Sequence, residues 1–217
     1  MQKFHYHPPV LPWLDIRYRD RDIIVINKPA GLLSNPGRAE ATHDCALTRL
    51  QQRYPETLLV HRLDCATSGI MVFARSKKAE SNLKTQFQER RNDKLYIAEV
   101  DGHMALEEGT VDLPLAADKE HPPLQKVDDD GRKAITHYRV LERRAHSTLV
   151  ALQPETGRTH QLRVHMLALG HPILGDDFYG DEHIQQARPR LCLHAASLMF
   201  NHPWSGKEMH FVSVAGF

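Results

Sequence analysis

HRLDCATSGIMVFA, residues 61–74, places a single aspartate shortly before a run of apolar residues. Residues 70–74 are apolar throughout, which is typical of a buried β-strand, and Thr67-Ser68-Gly69 supplies a turn that leads into it. Two interpretations of Asp64 are open. In one, its side chain accepts hydrogen bonds from nearby backbone N–H groups and stabilises the turn, which is the reading that the spacing alone favours. In the other, Asp64 is a catalytic carboxylate that Arg62 keeps ionised and that the following strand orients.

Length and composition indicate a globular protein. The chain has 217 residues, of which 41% are hydrophobic and 25% charged, and this suits one substantial domain or two small ones. No run approaches the roughly 18 apolar residues of a membrane helix, and the N-terminal MQKFHYHPPVLPW lacks the apolar segment of a signal peptide. The three cysteines are far apart without a C-x-x-C pair, which argues against a disulfide framework. We therefore expect a cytoplasmic protein with no membrane partner.

The charge pattern neither requires nor excludes a nucleic-acid partner. Lys and Arg number 28 against 27 Asp and Glu, a formal net charge of +1, whereas nucleic-acid-binding proteins often have a larger basic excess. A protein with one basic face and an acidic face opposite to it would also have a net charge near zero. Each basic group alone, however, is typical of a solvated surface. The basic groups lie at residues 17–21, 75–78, 90–91, 132–133 and 143–144, and the main acidic group lies at residues 128–130.

Apolar periodicity predicts an α+β fold. Strands are expected at residues 22–27, 70–74, 94–100, 135–142, 148–153, 190–200 and 209–214. Helices are expected at residues 44–54, 77–90 and 158–169, and the polar residues 116–133 are expected to form a long loop. In the strand at 94–100, Leu95, Ile97 and Ala98 are predicted to face the core. We predict one domain over residues 1–217, with a mixed, mostly antiparallel central sheet flanked by helices and loops.

Several well-known catalytic motifs are absent from the sequence. Leu63 separates His61-Arg62 from Asp64, unlike the kinase catalytic loop, and no glycine-rich phosphate loop accompanies them. His160 and His165 fall on different sides of a helix, and without H-E-x-x-H or paired cysteines they do not predict a metal site. Neither G-x-S-x-G nor G-x-G-x-x-G occurs. What remains is one carboxylate, nearby arginines and a tyrosine on a strand.

Short segments along most of the chain match an ordered set of motifs. They are Asn27-Lys28-Pro29-Ala30-Gly31; His61-Arg62-Leu63-Asp64 with Thr67-Ser68-Gly69; Lys94-Leu95-Tyr96; Thr156-Gly157-Arg158-Thr159-His160-Gln161-Leu162-Arg163 with His165; His171-Pro172-Ile173-Leu174-Gly175-Asp176; Leu193-His194-Ala195; and His202-Pro203. In order and spacing the set resembles the RluA-type pseudouridine synthases, from about Trp13 onward. These enzymes convert a uridine in RNA to pseudouridine: the N1–C1′ bond breaks, and C5 is joined to C1′.

The resemblance implies catalytic roles for three residues. Asp64 matches the catalytic aspartate, and three routes stay open for it: attack on the base, attack on the sugar, or help in removing a sugar proton. Arg163 matches the arginine that pairs with that aspartate, and a planar guanidinium favours the ionised carboxylate through two parallel hydrogen bonds. Tyr96 matches the tyrosine that lies against the target base, where its hydroxyl could assist proton removal from C5.

Three further residues are expected at the RNA. Arg62 is expected to reach into the RNA while the target uridine is out of its stack, because a base inside a folded loop must be extruded before its C1′ can be reached. Leu162 is expected to line the pocket, with helix core as its ordinary alternative. Lys28 is a weaker candidate, for contact with phosphate or for structural support.

The resemblance also implies the partners of the protein. No cofactor and no metal are expected. The short form, without an N-terminal S4 domain, implies structured RNA as substrate, namely a tRNA anticodon stem-loop (uridine 32) and a 23S rRNA hairpin (uridine 746). No DNA partner is expected, and the chain is expected to be a monomer. Substrate choice would depend on the catalytic domain itself, through residues 116–133 and the basic pairs near Lys77 and Arg90.

Two other classes of function stay open at this point. A non-catalytic RNA-binding relative would keep the fold, but it would have no chemical need for Asp64, Tyr96 and Arg163 together. A hydrolase could use Asp64 on another glycosyl bond, but a glycosidase normally needs a second carboxylate across the bond, and the motifs present none.

Overall fold

The structure is a computed structural model that describes residues 6–217. The chain divides into two compact units. The first extends to Asp93 and includes Ser197–Val214, and the second comprises Lys94–Ala196 and Ala215–Phe217. Among the described residues, no helix is both long enough and apolar enough to cross a bilayer.

Strands outnumber helices in the described part of the chain. The strands are β1 (Asp15–Arg19), β2 (Ile23–Lys28), β3 (Leu58–Leu59), β4 (Ser68–Ala74), β5 (Asp93–Asp101), β6 (Glu108–Asp112), β7 (Leu115–Ala117), β8 (Gln125–Val127), β9 (Ile135–Arg143), β10 (Ser147–Pro154), β11 (Leu193–Asn201) and β12 (Glu208–Val212). The helices are α1 (Ala46–Gln51), α2 (Lys77–Gln88), α3 (Gln161–Ala168) and α4 (Glu182–Ala187), with a 3-10 turn at Glu40–Thr42. The α+β class with mostly antiparallel pairing is confirmed.

The first unit is built on β2 and β4, which pair with each other antiparallel. Strand β4 is buried at every position, as the apolar run predicts for a strand covered on both faces. On the outer side of β2 lies β1, while β3 also pairs with β4 and β12 pairs with β11. The core contains Ile23, Val25, Val60, Ile70, Val72, Ala74, Ala79, Leu83, Leu198 and Phe200, with Phe87 packed against it.

Helix α2 follows β4 and covers part of this core. The side chain of Ser76 accepts a hydrogen bond from the backbone N–H of Ala79 at 3.2 Å, so it caps the first turn of the helix. Ala79 and Leu83 are buried, and Phe87 packs on the same side, as their i, i+4, i+8 spacing predicts.

The second unit contains an antiparallel array in which β10 pairs with both β5 and β9, and β6 pairs with β9. Two predictions are wrong here. Residues 116–133 are not a continuous loop, because β7 and β8 form a separate two-stranded sheet within this region. Leu95 does not face the core: it is 37% exposed, since burial along β5 rises only from Ala98 onward, where both faces are covered. The single domain over residues 1–217 stays a prediction.

Candidate active site

The loop that carries Asp64 lies beside the loop that leaves β2. Because β2 and β4 pair antiparallel with Lys28 opposite Gly69, the chain at residues 29–34 leaves the sheet where residues 61–67 enter it. The strand pairing therefore brings two segments together that are about thirty residues apart in sequence.

Hydrogen bonds fix the backbone on both sides of Asp64. Before it, the hydroxyl of Ser34 donates to the carbonyl of Leu63 at 2.6 Å and accepts from the N–H of Leu63 at 3.0 Å. After it, the N–H of Gly31 donates to the carbonyl of Cys65 at 2.8 Å, with Gly31 at a φ of 82°, which glycine adopts at little cost. Sequence reasoning included Gly31 in a motif but missed Ser34, whose partner is distant in sequence.

Lys28 is buried beneath the Asp64 loop and binds its backbone and that of the loop after β2. It is fully buried, and its Nζ donates to the carbonyls of Pro29, Leu32 and Cys65 at 2.9, 2.6 and 3.1 Å. Burial lowers the pKa of Lys28 to about 7, while the nearby charges of Cys65 and Asp64 act in the opposite direction. This geometry favours structural support over contact with phosphate, the two alternatives that the sequence left open for Lys28.

The stability that Lys28 provides is expected to depend on pH. Its pKa is about 7 in the folded protein against 10.5 for an exposed lysine, so the unfolded chain binds more protons between these values. The free energy of unfolding of the native protein should therefore rise with pH across this window relative to Lys28→Met, by up to about 1.4 kcal/mol per pH unit. Urea unfolding of both proteins at several pH values in the window measures the difference.

The matched control for this measurement is Lys84→Met. Lys84 lies on α2, is partly exposed and pairs with Glu80 at 2.8 Å. Lys84→Met removes one lysine that is not buried, so it reports the general effect of losing a lysine on the pH profile. Parallel pH profiles for the native protein and Lys28→Met would contradict the assignment of a buried, titrating amine.

Asp64 is half-buried. Its backbone carbonyl accepts a hydrogen bond from the N–H of Thr67 at 3.2 Å, so a turn is present. Among the described residues of the first unit, however, no group donates a hydrogen bond to the carboxylate itself. The interpretation of Asp64 as a residue whose side chain stabilises the turn is therefore not supported, and the turn is held by the backbone and by Ser34, Gly31 and Lys28 instead.

Residues next to Asp64 alternate between the surface and the core. Arg62 is exposed, and Leu63 is buried. The ring of His61 stacks on Phe87 at a centroid distance of 4.5 Å, and its Nε2 accepts a hydrogen bond from the N–H of Val72 at 3.1 Å. The residues on both sides of Arg62 are therefore fixed, while Arg62 itself is exposed.

In the second unit, Gln161 organises the start of α3. Its Oε1 accepts hydrogen bonds from the hydroxyl of Thr156 at 2.7 Å and from the N–H of Arg158 at 3.0 Å. Its Nε2 donates to the carbonyl of Ile135 at 2.9 Å and to the hydroxyl of Thr136 at 3.0 Å. The amide therefore ties the T-G-R-T-H-Q turn to β9, a role that the sequence motif contained but did not explain.

Arg163, two residues further along α3, is held by two aspartates. It is 2% exposed, and its Nε and Nη2 donate to the two carboxylate oxygens of Asp176 at 2.8 and 2.5 Å, while Nη2 also meets Asp177 at 3.0 Å. The rings of Phe178 and Tyr179 lie 4.8 and 5.3 Å from its guanidinium carbon. A buried cation with a bidentate partner is fixed in rotamer and charge.

The remaining predicted residues of the second unit have defined surroundings. Tyr96 lies on β5, opposite Leu152 of β10, and is half-buried. Leu162 is buried on α3. The predicted pair of Arg163 with Asp64 would join the two units, and it stays a prediction.

His165 has a structural role. Its Nδ1 and Nε2 lie 2.9 Å from the hydroxyl of Thr136 and 3.0 Å from the carbonyl of Leu113. Burial lowers the pKa of His165, so the neutral ring is favoured. Both ring nitrogens of His165 are therefore used within the fold.

Two groups of side chains in the described chain have the composition of a metal site, but their surroundings do not favour a bound ion. The carboxylate of Asp20 accepts hydrogen bonds from the N–H groups of Asp22 and Ile23, the hydroxyl of Tyr18 and the Nε2 of His202, at 2.8 to 2.9 Å, so its oxygens are engaged in the fold. The second group comprises Asp118, Glu120 and His121, which lie on the surface, where acidic side chains commonly cluster without a metal.

Comparisons with known proteins identify the family. The family described as RNA pseudouridylate synthase matches residues 22–168. The dual-specificity RNA pseudouridine synthase RluA of Escherichia coli (strain K12) is 53% identical over 215 residues, covering 98% of each chain. RluA of Vibrio parahaemolyticus is 51% identical over 211 residues, covering 94% of this chain and 84% of that protein.

A solved structure agrees with the sequence comparisons. Human RNA pseudouridylate synthase domain containing 1 superposes with a TM-score of 0.80 at 30% identity, covering 96% of this chain and 86% of that one. These findings favour an isomerase over the hydrolase and the non-catalytic relative. The chain therefore belongs to the RNA pseudouridylate synthase family and is a pseudouridine synthase of the RluA type.

Proposed function

We propose that Asp64 initiates the conversion of uridine to pseudouridine in structured RNA, supported by Tyr96 and Arg163. The observation that carries this proposal is the loop geometry: the backbone is fixed on both sides of Asp64, and within its unit no described group occupies the carboxylate. A positioned, available carboxylate is what each of the three routes requires, whether Asp64 attacks the base, attacks the sugar or helps to remove a sugar proton.

The supporting roles follow from the chemistry of each side chain. The guanidinium of Arg163 would keep Asp64 ionised through a charge-assisted pair. The ring of Tyr96 would stack on the target base, and its hydroxyl would help to remove the proton from C5 once the C5–C1′ bond has formed. Arg62, exposed beside Asp64, would enter the RNA where the uridine has left its stack, and Leu162 would line the pocket.

The substrates that we propose are a tRNA anticodon stem-loop, at uridine 32, and a 23S rRNA hairpin, at uridine 746. Support comes from the relatives named dual-specificity RNA pseudouridine synthase RluA, which are about half identical to this chain over almost its whole length. We propose that the enzyme acts as a monomer in the cytoplasm, with one catalytic domain and without a cofactor.

Release of tritium from transcripts labelled at C5 of uridine tests this function, because forming the C5–C1′ bond must expel the hydrogen at C5. The native protein is expected to release tritium from both hairpins. Matched transcripts carry cytidine at position 32 or 746 and tritiated uridine elsewhere, and they should give no release. Release that persists from the cytidine transcripts would show that the target positions are wrong, and no release from either hairpin would exclude both substrates.

A further inference from the structure

Three arginine side chains converge on one tyrosine ring in the first unit. The guanidinium carbons of Arg19, Arg75 and Arg53 lie 5.1, 5.3 and 5.6 Å from the ring centroid of Tyr54. No two of them can therefore be more than about 11 Å apart. We call Arg19, Arg53 and Arg75 the arginine cluster.

The fold builds this cluster from separate elements. Arg19 ends β1, Arg75 directly follows β4, and Arg53 and Tyr54 follow α1. Tyr54 is buried, and its hydroxyl accepts a hydrogen bond from Nη1 of Arg19 at 3.0 Å. The ring is thus a fixed platform, while Arg19 and Arg53 are exposed.

The positive charge of the cluster is only partly balanced. Nε of Arg75 donates to Glu56 at 2.7 Å, but Arg19 and Arg53 form no ion pair with any carboxylate in the described chain. The nearest acidic neighbour in sequence, Asp20, is engaged by Tyr18 and His202. Like charges held close together repel each other, so an anion bound between the exposed guanidiniums would be favoured.

The position of the cluster suits the backbone of an RNA rather than the reacting uridine. Strand β4 begins four residues after Asp64 and ends immediately before Arg75. Its seven residues span roughly 23 Å at about 3.3 Å per residue, so the cluster and the Asp64 loop lie at opposite ends of this strand. That distance is several phosphate steps along a nucleic-acid strand. Guanidinium groups bind phosphate through paired hydrogen bonds, and contacts of this kind set the register of a nucleic acid on a protein.

We propose that the arginine cluster is a phosphate-binding surface that holds the stem of the RNA substrate while the target uridine is at Asp64. This rests on the proposed function in one respect, since it takes the substrate to be a structured RNA. The surface contributes affinity and register, and it takes no part in bond making or breaking.

The salt dependence of RNA binding tests the proposal. The variant is Arg19→Gln with Arg53→Gln, which removes the two unbalanced charges and leaves Arg75 with Glu56. The probe is a fluorescent tRNA anticodon stem-loop, titrated at several KCl concentrations. Each lost phosphate contact should reduce the slope of log K against log[salt] by roughly 0.7 to 0.9, so we expect a slope smaller by about 1 to 2 and an affinity at least about tenfold lower at low salt.

The matched control removes two exposed arginines elsewhere. Arg139 lies opposite Glu108 in the neighbouring strand, and Nη1 of Arg143 meets Glu107 at 2.6 Å, so both are next to carboxylates. Arg139→Gln with Arg143→Gln changes the net charge by the same amount but should keep the native slope. A general effect of net charge would change the slope of both double variants equally, and that result would overturn the assignment to the cluster.

Kinetics with the same stem-loop separate this proposal from the proposed function. In the cluster variant we expect KM for tritium release to rise by at least about tenfold while kcat changes much less. Native protein that binds RNA but releases no tritium would refute the proposed substrate, and the salt slopes would still report on the cluster.

Unchanged slope and unchanged KM in a folded cluster variant would overturn the proposal and point to an acidic protein partner instead. If the double variant does not fold, Arg53→Gln alone provides the same test with one contact fewer, because the only described contact of that guanidinium is with the ring of Tyr54.

Discussion

Asp64→Asn is expected to lower tritium release by at least about 10³-fold in single-turnover experiments with excess enzyme. The amide has nearly the shape of the carboxylate, but it carries no charge and can neither act as a nucleophile nor accept a proton. Single-turnover conditions are needed because they report the chemical step without product release. All three routes open to Asp64 predict this loss, since each one uses the carboxylate itself.

The same variant should fold and bind RNA as the native protein does. The carboxylate of Asp64 accepts no hydrogen bond from the described residues of its own unit, and its loop is held by Ser34, Gly31 and Lys28. The free energy of unfolding is therefore expected to change by no more than about 0.5 kcal/mol, and Kd for the stem-loop by less than about threefold.

Asp112→Asn, an exposed aspartate on β6, is the matched control and should retain native activity. Loss of RNA binding in proportion to activity in Asp64→Asn would undo the separation of binding from chemistry. More than a tenth of the native release rate would show that Asp64 does not initiate the reaction.

Local patterns in the sequence were sufficient to predict β4 and α2, the strand and the helix that follow Asp64. The apolar run at residues 70–74 predicted the core of β4, and the i, i+4 spacing from Ala79 predicted α2. Both signals depend on neighbouring residues, and both elements bury the faces that the patterns indicate. Ordered motifs added the identity of the candidate catalytic residues, which spacing alone did not provide, since for Asp64 it favoured a turn.

Contacts between distant segments could not be predicted in the same way. Ser34 and Leu63 are 29 residues apart, and Arg163 and Asp176 are 13 apart, so neither pair has a periodic signal. The arginine cluster is a further case, because its members lie in three basic or mixed segments that each resemble an ordinary solvated surface.

Two predictions about the fold were wrong because the local sequence patterns behind them were weak. Residues 116–133 are polar and contain prolines, so the three-residue strands β7 and β8 left too little periodicity to detect. Alternation predicts Leu95 in the core because it assumes that burial is uniform along a strand. In β5 burial instead depends on position, and the first residues are open to solvent.

Asp176→Asn is expected to destabilise the protein by about 3 kcal/mol and to abolish most of its activity. The carboxylate of Asp176 accepts two hydrogen bonds from Arg163. It also accepts hydrogen bonds from the backbone N–H groups of Phe178 and Tyr179, at 2.9 and 3.0 Å. Removing one charge of a buried pair leaves the other uncompensated, at a cost of about 3 to 5 kcal/mol. We expect the lower end of this range because Asp177 still contacts the guanidinium of Arg163 at 3.0 Å. Urea unfolding measures the loss, and tritium release measures the activity.

Two comparisons separate the fold from the chemistry. Asp177→Asn removes a largely exposed carboxylate from the same guanidinium and should cost less than about 1 kcal/mol. Arg163→Met added to Asp176→Asn removes the uncompensated cation, so it should recover at least about 1 kcal/mol of stability yet leave the enzyme inactive. Recovery of activity together with stability would mean that Arg163 serves only the fold, and the proposed pairing with Asp64 would then be wrong. Recovery of stability alone would support the proposed pairing: Asp176 would hold the position of Arg163, and the charge of Arg163 would serve Asp64.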